Sequence, residues 1–188
     1  MIRSRADLTA FRQSDAAAYG VTWSHRHHFS ARNAHRILQF QRRLRLLEYL
    51  TNVRPGHPLM LRIRLALLWR RHARHAERLG FTVPPNTFGP GLCLVHYGTT
   101  VVSAAARIGS DARVHPSSSI GASEHGAPTL GDGCYIGPGA RLVGPITLGD
   151  HVIVGANAVV LDSFGDHSVL AGVPARVVAT RASRADIH

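Results

Sequence analysis

The sequence lacks several features that would mark a secreted, disulfide-bonded or membrane-spanning protein. It contains no lysine, so all 22 cationic side chains are arginines, and its only cysteines are Cys93 and Cys134. The two cysteines form neither a CxxC pair nor a metal-binding spacing, which excludes a disulfide framework and indicates a reducing, cytoplasmic location. The N-terminus has no apolar segment typical of a secretory signal. The most apolar stretch, residues 59–69, contains two arginines and is too short to span a bilayer.

An aliphatic residue returns at almost every sixth position in the second half of the chain. The series is Val102, Ile108, Val114, Ile120, Leu130, Ile136, Leu142, Leu148, Val154 and Val160. A period of six fits neither an α-helix nor a flat strand. It predicts a mainly β fold, a parallel β-helix in which the chain turns a corner every six residues and points one aliphatic side chain inward per face. Such a core needs few large rings, in agreement with an aromatic content of 6%.

The first part of the chain has a different pattern. Residues 1–30 show no clear period, and we expect them to form a mobile N-terminal arm. Residues 31–80 carry apolar residues at helical spacing on both sides of a break at residues 54–58, which contains two prolines and a glycine. This pattern predicts a helical hairpin ahead of the β-helix.

The β-helix is expected to occupy residues 81–178. Its repeat should stop after Val160, because Asp166 occupies the next aliphatic position. A solenoid needs a cap at its end, since an open end exposes unpaired strand edges, and residues 170–178 are suited to this role. Residues 179–188 should form a frayed tail.

Charge is distributed unevenly between these parts. Residues 1–80 carry a net charge of +12, whereas residues 81–188 carry −1. The arginine-rich helices are open to three interpretations: a solvated helix surface, weak association with an anionic membrane or acidic polysaccharide, and nucleic-acid binding. No nucleic-acid recognition module accompanies the charge, so we expect no nucleic-acid partner.

Three histidines are candidate catalytic residues. Counting back six from Val102 reaches His96, and a histidine in place of an aliphatic residue is either a functional group, a buried histidine or a turn cap. A four-residue insertion falls within residues 122–129 and carries His125; solenoids often place such loops on their binding face. His115 follows His96 by 19 residues, about one coil, so these groups are expected to lie near one another.

The repeat, the segment His96-Tyr97-Gly98-Thr99-Thr100-Val101-Val102 and the ending Ala171-Gly172-Val173-Pro174-Ala175-Arg176 resemble the serine acetyltransferase family of hexapeptide-repeat acyltransferases. The resemblance covers roughly residues 80–178 and is closest to short members associated with surface-polysaccharide synthesis. It implies a left-handed β-helix, usually a homotrimer, with acetyl-CoA bound in the groove between neighbouring subunits.

The resemblance also implies roles for individual residues. His96 matches the family's catalytic histidine, which acts as a general base on the acceptor hydroxyl. Contacts to acetyl-CoA fall near Pro138, Ala156 and Leu161, and Arg176 is expected to face the nucleotide phosphates. No metal is expected.

Three departures from the family pattern concern the acceptor. Val95 stands where an acid precedes the catalytic histidine, Phe81 stands where an acid orients it, and Ala127 stands at a second histidine of the loop, with His125 two residues away. Without a carboxylate to pair with an ammonium, a hydroxyl on a sugar or surface glycan is favoured over free L-serine. The serine O-acetyltransferase of cysteine biosynthesis is the alternative.

Two further alternatives belong to other classes. A γ-carbonic-anhydrase-like metalloenzyme shares this β-helix and needs three histidines at a zinc ion, for which His96, His115, His125 and His151 are candidates, although their spacings give no same-coil pair. A non-catalytic β-helix scaffold, with the helices as its binding surface, is the other.

Overall fold

A computed structural model describes residues 1–21, 33–53 and 59–181. In these ranges the chain forms three helices followed by fourteen short strands. The helices are α1 (Arg5–Ala17), α2 (Asn33–Val53) and α3 (Leu59–Leu79). The strands are β1 (Phe81–Thr82), β2 (Cys93–Leu94), β3 (Thr100–Val102), β4 (Arg107–Ile108), β5 (Arg113–Val114), β6 (Ser119–Gly121), β7 (Thr129–Leu130), β8 (Tyr135–Ile136), β9 (Arg141–Val143), β10 (Thr147–Leu148), β11 (Ile153–Val154), β12 (Val159–Val160), β13 (Ser168–Ala171) and β14 (Arg176–Thr180).

The strands form the three faces of a prism, as the repeat predicts. The first face has the order β1-β3-β6-β9-β12, the second β4-β7-β10, and the third β2-β5-β8-β11-β13, with β14 at its edge. All pairs are parallel except β13 with β14. The predicted mainly β, parallel β-helical fold is therefore confirmed.

Each face contributes one column of inward side chains to the core. The columns are Val83, Val102, Ile120, Leu142, Val160; Phe88, Ile108, Leu130, Leu148, Phe164; and Leu94, Val114, Ile136, Val154, Leu170. All are buried except Phe164, which is partly buried against the others. Stacking identical positions buries a continuous apolar core, which is the main source of stability in a solenoid.

The count of six fails at both ends of the array. Leu94, not His96, is the inward residue before Val102, because the corner between β2 and β3 is two residues longer than the next corner. His96 is therefore an exposed corner residue rather than a replaced core aliphatic. At the other end the corner after Val160 is two residues shorter, so Phe164 continues the column beyond the predicted end.

Asp166 does not end the solenoid, contrary to expectation. It belongs to a ladder of aspartates at one corner, in which each carboxylate accepts a hydrogen bond from a backbone N–H of the preceding coil. Asp132 accepts from Ser110 at 2.6 Å, Asp150 from Asp132 at 2.7 Å and Asp166 from Asp150 at 2.9 Å. The aspartate thus fixes one more corner, and the coil continues to Leu170 in β13.

The described part of residues 1–30 is not a mobile arm, because residues 5–17 form α1. The Ser4 side chain accepts a hydrogen bond from the Asp7 N–H, and the Asp7 carboxylate accepts one from the Ser4 N–H, which is a capping box. The helix buries three of its residues, one of them Asp15. Sequence periodicity does not show this helix because a buried aspartate replaces an apolar residue. Residues 22–30 lie outside the described ranges.

A buried ion network explains Asp15. Arg45 of α2 is completely buried and binds Asp15 through two nitrogens, at 2.8 and 3.1 Å, and Glu48 at 3.1 Å. Its remaining donors reach the carbonyl oxygens of Phe88 and Gly89 in the first coil, at 3.0 and 2.6 Å. Burial alone would lower the pKa of Arg45, but Asp15 and then Glu48 raise it. The network ties α1, α2 and the β-helix together.

The second and third helices pack face to face. Phe40 of α2 stacks on His72 of α3 with ring centroids 4.6 Å apart. The opposite face of α3 is exposed and carries both apolar side chains and arginines. The exposed members are Leu59, Met60, Ile63, Leu67, Arg62, Arg64, Arg70, Arg71, Arg74 and Arg78. None of the described helices has the length and hydropathy needed to cross a membrane.

The C-terminal end of the prism is closed by a strand that reverses direction. β14 pairs antiparallel with β13, so ordered structure extends to Thr180, two residues beyond the predicted end of the β-helix. The rest of the predicted tail, residues 182–188, lies outside the described ranges.

Candidate active site at a corner of the prism

His96 lies on the corner that links β2 to β3, with its side chain exposed to solvent. The backbone on either side is held by hydrogen bonds. The Val95 N–H donates to the Val114 carbonyl of the next coil at 3.0 Å, and the Gly98 N–H donates to the Leu79 carbonyl at the end of α3, at 2.8 Å. The imidazole is therefore presented from a fixed segment where the helices meet the β-helix.

The same corner is tightly packed from above and below. Gly80 has a φ of 78°, and a Cβ there would lie 2.9 Å from the carbonyl carbon of Gly98. A Cβ on Gly98, whose φ is 141°, would lie 3.0 Å from the Cβ of Pro116. Neither contact leaves room for a side chain, so both glycines are needed for this close approach.

His115 lies in the coil next to His96. It follows β5 and is half-buried, with its ring centroid 4.9 Å from that of Tyr135. Its Nε2 is buried and has no hydrogen-bond partner among the described residues. Burial, followed by the nearby Arg113 and His96, lowers the pKa of His115, so its ring is neutral near pH 7. The structure therefore brings His96 and His115 together, as predicted from their spacing.

His125 does not join them within one chain. It lies on the inserted loop that follows β6, where the Ser123 N–H donates to the Gly126 carbonyl at 2.8 Å, and it contacts Glu124 at 3.3 Å. His96 precedes β3, which pairs in parallel with β6, so His96 and His125 lie at opposite ends of the same face. The expectation that all three histidines converge is wrong for a single subunit.

Two of the residues predicted to contact acetyl-CoA, Pro138 and Ala156, lie along the corner that carries His96. Val102, Ile120, Leu142 and Val160 are in register, and the residues four positions before them stack in one column. That column is Gly98, Pro116, Pro138 and Ala156, and His96 lies two residues before Gly98 in the same, longer corner. With strands about 4.8 Å apart, it is roughly 14 Å long. Pro138 and Ala156 are both exposed, so no residue of the described ranges covers the lower half of the column.

Leu161 and Arg176 lie at the far end of the prism, at the opposite edge of the first face from the column, because Ala156 precedes β12 and Leu161 follows it. Leu161 follows β12 and is 53% exposed. Arg176 begins β14, where its Nη1 donates to the Asp162 carboxylate at 3.2 Å and to the Ala175 carbonyl at 2.8 Å. Both groups of this ion pair are mostly exposed, so the guanidinium is accessible to a ligand.

The positions at which the sequence departs from the family pattern are apolar in the structure as well. Phe81 is a core residue of β1 whose ring meets that of Phe40 edge-on at 5.2 Å. Val95 and Ala127 are half-buried. None of the three can supply a carboxylate or imidazole.

Other features lie away from this corner. A cavity of about 340 Å³ opens between the start of the chain and the second face, lined in part by Met1, Phe11, Ile108 and Leu130. His151 stacks on His167 at the corner of the aspartate ladder, with centroids 5.2 Å apart. Within residues 1–21, 33–53 and 59–181, no three His, Cys, Asp or Glu side chains are grouped to hold a metal ion.

Comparison with known proteins identifies the family. The profile described as "Bacterial transferase hexapeptide (six repeats)" matches residues 127–162. The serine acetyltransferase of Helicobacter pylori strain J99 is 30% identical over 146 residues, which cover 66% of this chain and 81% of the relative. The chain belongs to the serine acetyltransferase family of hexapeptide-repeat proteins.

Other members of the serine acetyltransferase family are longer. The Mycobacterium tuberculosis serine acetyltransferase is 32% identical over 127 residues, covering 59% of this chain, and the chain spans 55% of that relative's length. A solved serine acetyltransferase in complex with CoA has a TM-score of 0.69 at 23% identity, covering 93% of this chain and 70% of the other. That likeness gives the fold: a left-handed β-helix preceded by helices.

Three polar residues ahead of the β-helix that bond the chain leading to His96 were not predicted from the sequence. Asp15, Tyr19 and Gln41 each hydrogen-bond the backbone of the strand that leads to it. Two of them fall in residues 1–30, where no period was visible. A buried polar side chain that serves one strand leaves no periodic signal in a sequence.

Proposed function

We propose that this protein is an acetyl-CoA-dependent O-acetyltransferase with His96 as its general base. The observation that carries the proposal is the exposed His96 imidazole on the same corner as an open column that ends in the small residues Pro138 and Ala156. Its family relatives carry the name serine acetyltransferase, and one solved member binds CoA. The test is acetyl-CoA consumption by the purified protein with a panel of hydroxyl acceptors. Absence of turnover with every acceptor would count against it.

The chemistry follows from a neutral imidazole beside a hydroxyl. His96 accepts the hydroxyl proton while the oxygen attacks the thioester carbon, which forms a C–O bond and a tetrahedral oxyanion. Backbone N–H donors are suited to stabilising that charge. When the C–S bond breaks, the imidazolium returns its proton to the leaving thiolate, so His96 ends the cycle neutral and no acyl-enzyme is needed.

Pro138 and Ala156 are suited to line the acetyl-CoA site because the column presents small side chains and backbone. In this arrangement Leu161 contacts the same ligand farther along, and Arg176 faces its nucleotide phosphates. His115 and His125 are secondary candidates for proton transfer, the first by its closeness to His96 and the second only from another subunit.

The acceptor we favour is a hydroxyl on a sugar or surface glycan. Val95, directly before His96, cannot supply a carboxylate to meet an ammonium, and Ala127 on the inserted loop cannot supply an imidazole from a neighbouring subunit. L-serine is the alternative, and the names of the relatives support it. Measuring kcat/KM for L-serine beside sugars and nucleotide sugars decides between them: a value for serine above all sugars would establish the alternative.

We also propose a homotrimer in the cytoplasm, with the groove between subunits along the His96 corner. In this assembly the His125 loop would approach His96 from a neighbouring subunit. Light scattering coupled to gel filtration measures the mass directly, and a monomer would contradict it.

The outer face of α3 supports a peripheral association with an anionic surface. Leu59 and Met60 are 70% and 67% exposed, and six arginines share the exposed part of the helix with one acid, Glu77. Apolar side chains between arginines are typical of interfacial helices. Co-sedimentation with anionic and neutral vesicles at low and high salt tests this, and equal recovery with both lipids would contradict it.

A further inference from the structure

β2 is the end strand of its face in the described part of the chain. As in any parallel ladder, successive backbone groups alternate in direction. The N–H groups of Cys93 and Val95 donate to carbonyls of the next coil, at 2.9 and 3.0 Å. The N–H groups of Leu92 and Leu94 therefore point the other way, toward the helices, where there is no strand to receive them.

Side chains of the helical region take the place of that missing strand. The Asp15 carboxylate accepts the Leu92 N–H at 3.0 Å, and Gln41 Nε2 donates to the Leu92 carbonyl at 2.6 Å. Two residues farther along the chain, the Tyr19 hydroxyl accepts the Leu94 N–H at 2.8 Å and donates to the Leu94 carbonyl at 2.9 Å. A single oxygen thus satisfies both backbone groups of Leu94.

The hydroxyl can do this only while it is protonated. Burial, followed by the nearby Cys93, raises the pKa of Tyr19 well above its ordinary value. It therefore keeps its proton throughout the range in which proteins are stable. Leu94 itself is almost completely buried, so water cannot replace the tyrosine without movement of the strand.

His96 lies midway between two such anchors. Two residues before it, Tyr19 fixes Leu94; two residues after it, the Leu79 carbonyl accepts the Gly98 N–H at 2.8 Å. No hydrogen bond from the His96 N–H joins it to another residue of the described ranges. The Val95 N–H, directly before His96, donates to the Val114 carbonyl, so the position of the imidazole depends on this ladder bond together with the two anchors.

We propose that Tyr19 is a positioning residue for His96, doing through the backbone what an orienting carboxylate would do through the imidazole. This inference rests on the proposed role of His96 as the base. Phe81 occupies the place of an orienting acid, so the helices must fix the segment in another way. Losing the hydroxyl would leave the buried N–H and carbonyl of Leu94 unpaired, and the strand end would shift to solvate them. Displacing a catalytic group by about 1 Å lowers a rate by up to about 10²-fold.

The test is Tyr19→Phe, which removes the hydroxyl and keeps the ring. We expect kcat to fall about tenfold while KM for acetyl-CoA changes by less than about twofold, because the cofactor column is untouched. Independently of activity, the His96 imidazole resonances, assigned by their loss in His96→Ala, should shift or broaden in NMR spectra.

Two variants act as controls. Tyr49→Phe removes a tyrosine hydroxyl of α2 that has no hydrogen-bond partner in the described part of the chain. Gln41→Met removes the edge hydrogen bond at Leu92, two residues farther from His96. Both should keep kcat within about twofold of the parent.

The outcomes separate the two proposals. If the parent protein acetylates nothing, the proposed function fails, and the NMR comparison alone decides the role of Tyr19. The positioning role is overturned if Tyr19→Phe leaves the His96 resonances unchanged, or keeps the parent kcat. It is also overturned if Gln41→Met lowers kcat as much, because general loosening of the helices would then explain the loss.

Discussion

The helical region and the β-helix solve the same hydrogen-bonding problem by different means. In the β-helix each coil satisfies the backbone of the next, so a repeated aliphatic residue and a regular corner are sufficient. The helical region has no repeat to offer the first coil. It uses individual side chains instead, with Asp15, Tyr19 and Gln41 meeting the edge of β2. A solenoid can therefore be specified by a period, whereas its first edge needs particular residues.

The candidate site lies where these two regions meet. His96 follows the strand that the helical region holds, and it lies on the same corner as the residues stacked along the β-helix. In the proposed function, the regular region supplies an open surface for the ligand, and the irregular region holds the segment that carries the proposed base.

The largest effect should come from His96→Ala. Loss of a general base lowers kcat by roughly 10²- to 10⁴-fold. Since the ring is exposed, thermal unfolding should change little, which distinguishes lost chemistry from lost structure. Steady-state rates with saturating acetyl-CoA measure the effect. Near-normal turnover in this variant, combined with a large loss in His115→Ala, would transfer the role of base to His115.

Replacing Arg45 tests the buried network that joins the two regions. Arg45→Met keeps the length of the side chain but leaves the carboxylates of Asp15 and Glu48 buried without a cation, which costs about 3–5 kcal/mol of unfolding free energy. Urea denaturation followed by circular dichroism measures the loss. Arg64→Met, an exposed arginine on α3, is the matched control and should cost less than about 0.5 kcal/mol.

A rescue experiment shows whether the lost stability comes from uncompensated charge. Adding Asp15→Asn and Glu48→Gln to Arg45→Met removes the uncompensated charges, so part of the lost stability should return. If the triple variant is less stable than Arg45→Met alone, hydrogen bonds to the carboxylates rather than charge compensation dominate the network.

How far the sequence determines these results differs between the regions. The period of six identifies most inward residues from Val102 to Val160, and with them the fold. Counting in sixes, however, places His96 in the core and ends the array at Asp166. The count fails there because the spacing of aliphatic residues does not reveal how long each corner is. The approach of His115 to His96 follows from the length of a coil, whereas α1 does not follow from any period. Asp15 is understandable only with Arg45, which lies 30 residues away in the sequence.

The stability of the helical region should depend on pH through His72. Burial, followed by His75 and Arg43, lowers the pKa of His72 to about 4, whereas an unfolded histidine has a pKa of about 6.5. Above pH 6.5 the His72 ring is neutral in both the folded and the unfolded state. The buried neutral ring then contributes its full share to the free energy of unfolding. As the pH falls from 6.5 to 4 the unfolded state binds the proton more readily, so about 2–3 kcal/mol of stability is lost.

Urea midpoints between pH 7 and pH 4 measure that loss. His72→Leu should remove this part of the pH dependence, because leucine cannot take up a proton in either state. An unchanged pH profile in His72→Leu would show that other groups cause the acid sensitivity.

The smallest effect on stability is expected from Arg176→Gln, at the end of the β-helix farthest from the helices. Its ion pair with Asp162 is exposed on both sides, at 63% and 64%, so its removal should cost less than about 1 kcal/mol. If Arg176 contacts the phosphates of acetyl-CoA, KM for acetyl-CoA should nevertheless rise by about five- to tenfold, more at low salt, with kcat nearly unchanged.

Arg107→Gln is the matched control, because Arg107 also donates to the carbonyl of the preceding residue, at 2.7 Å, but lies on the second face. Equal KM values in the two variants would show that the Arg176 end of the prism does not bind the nucleotide, and would confine the ligand to the coils nearer His96.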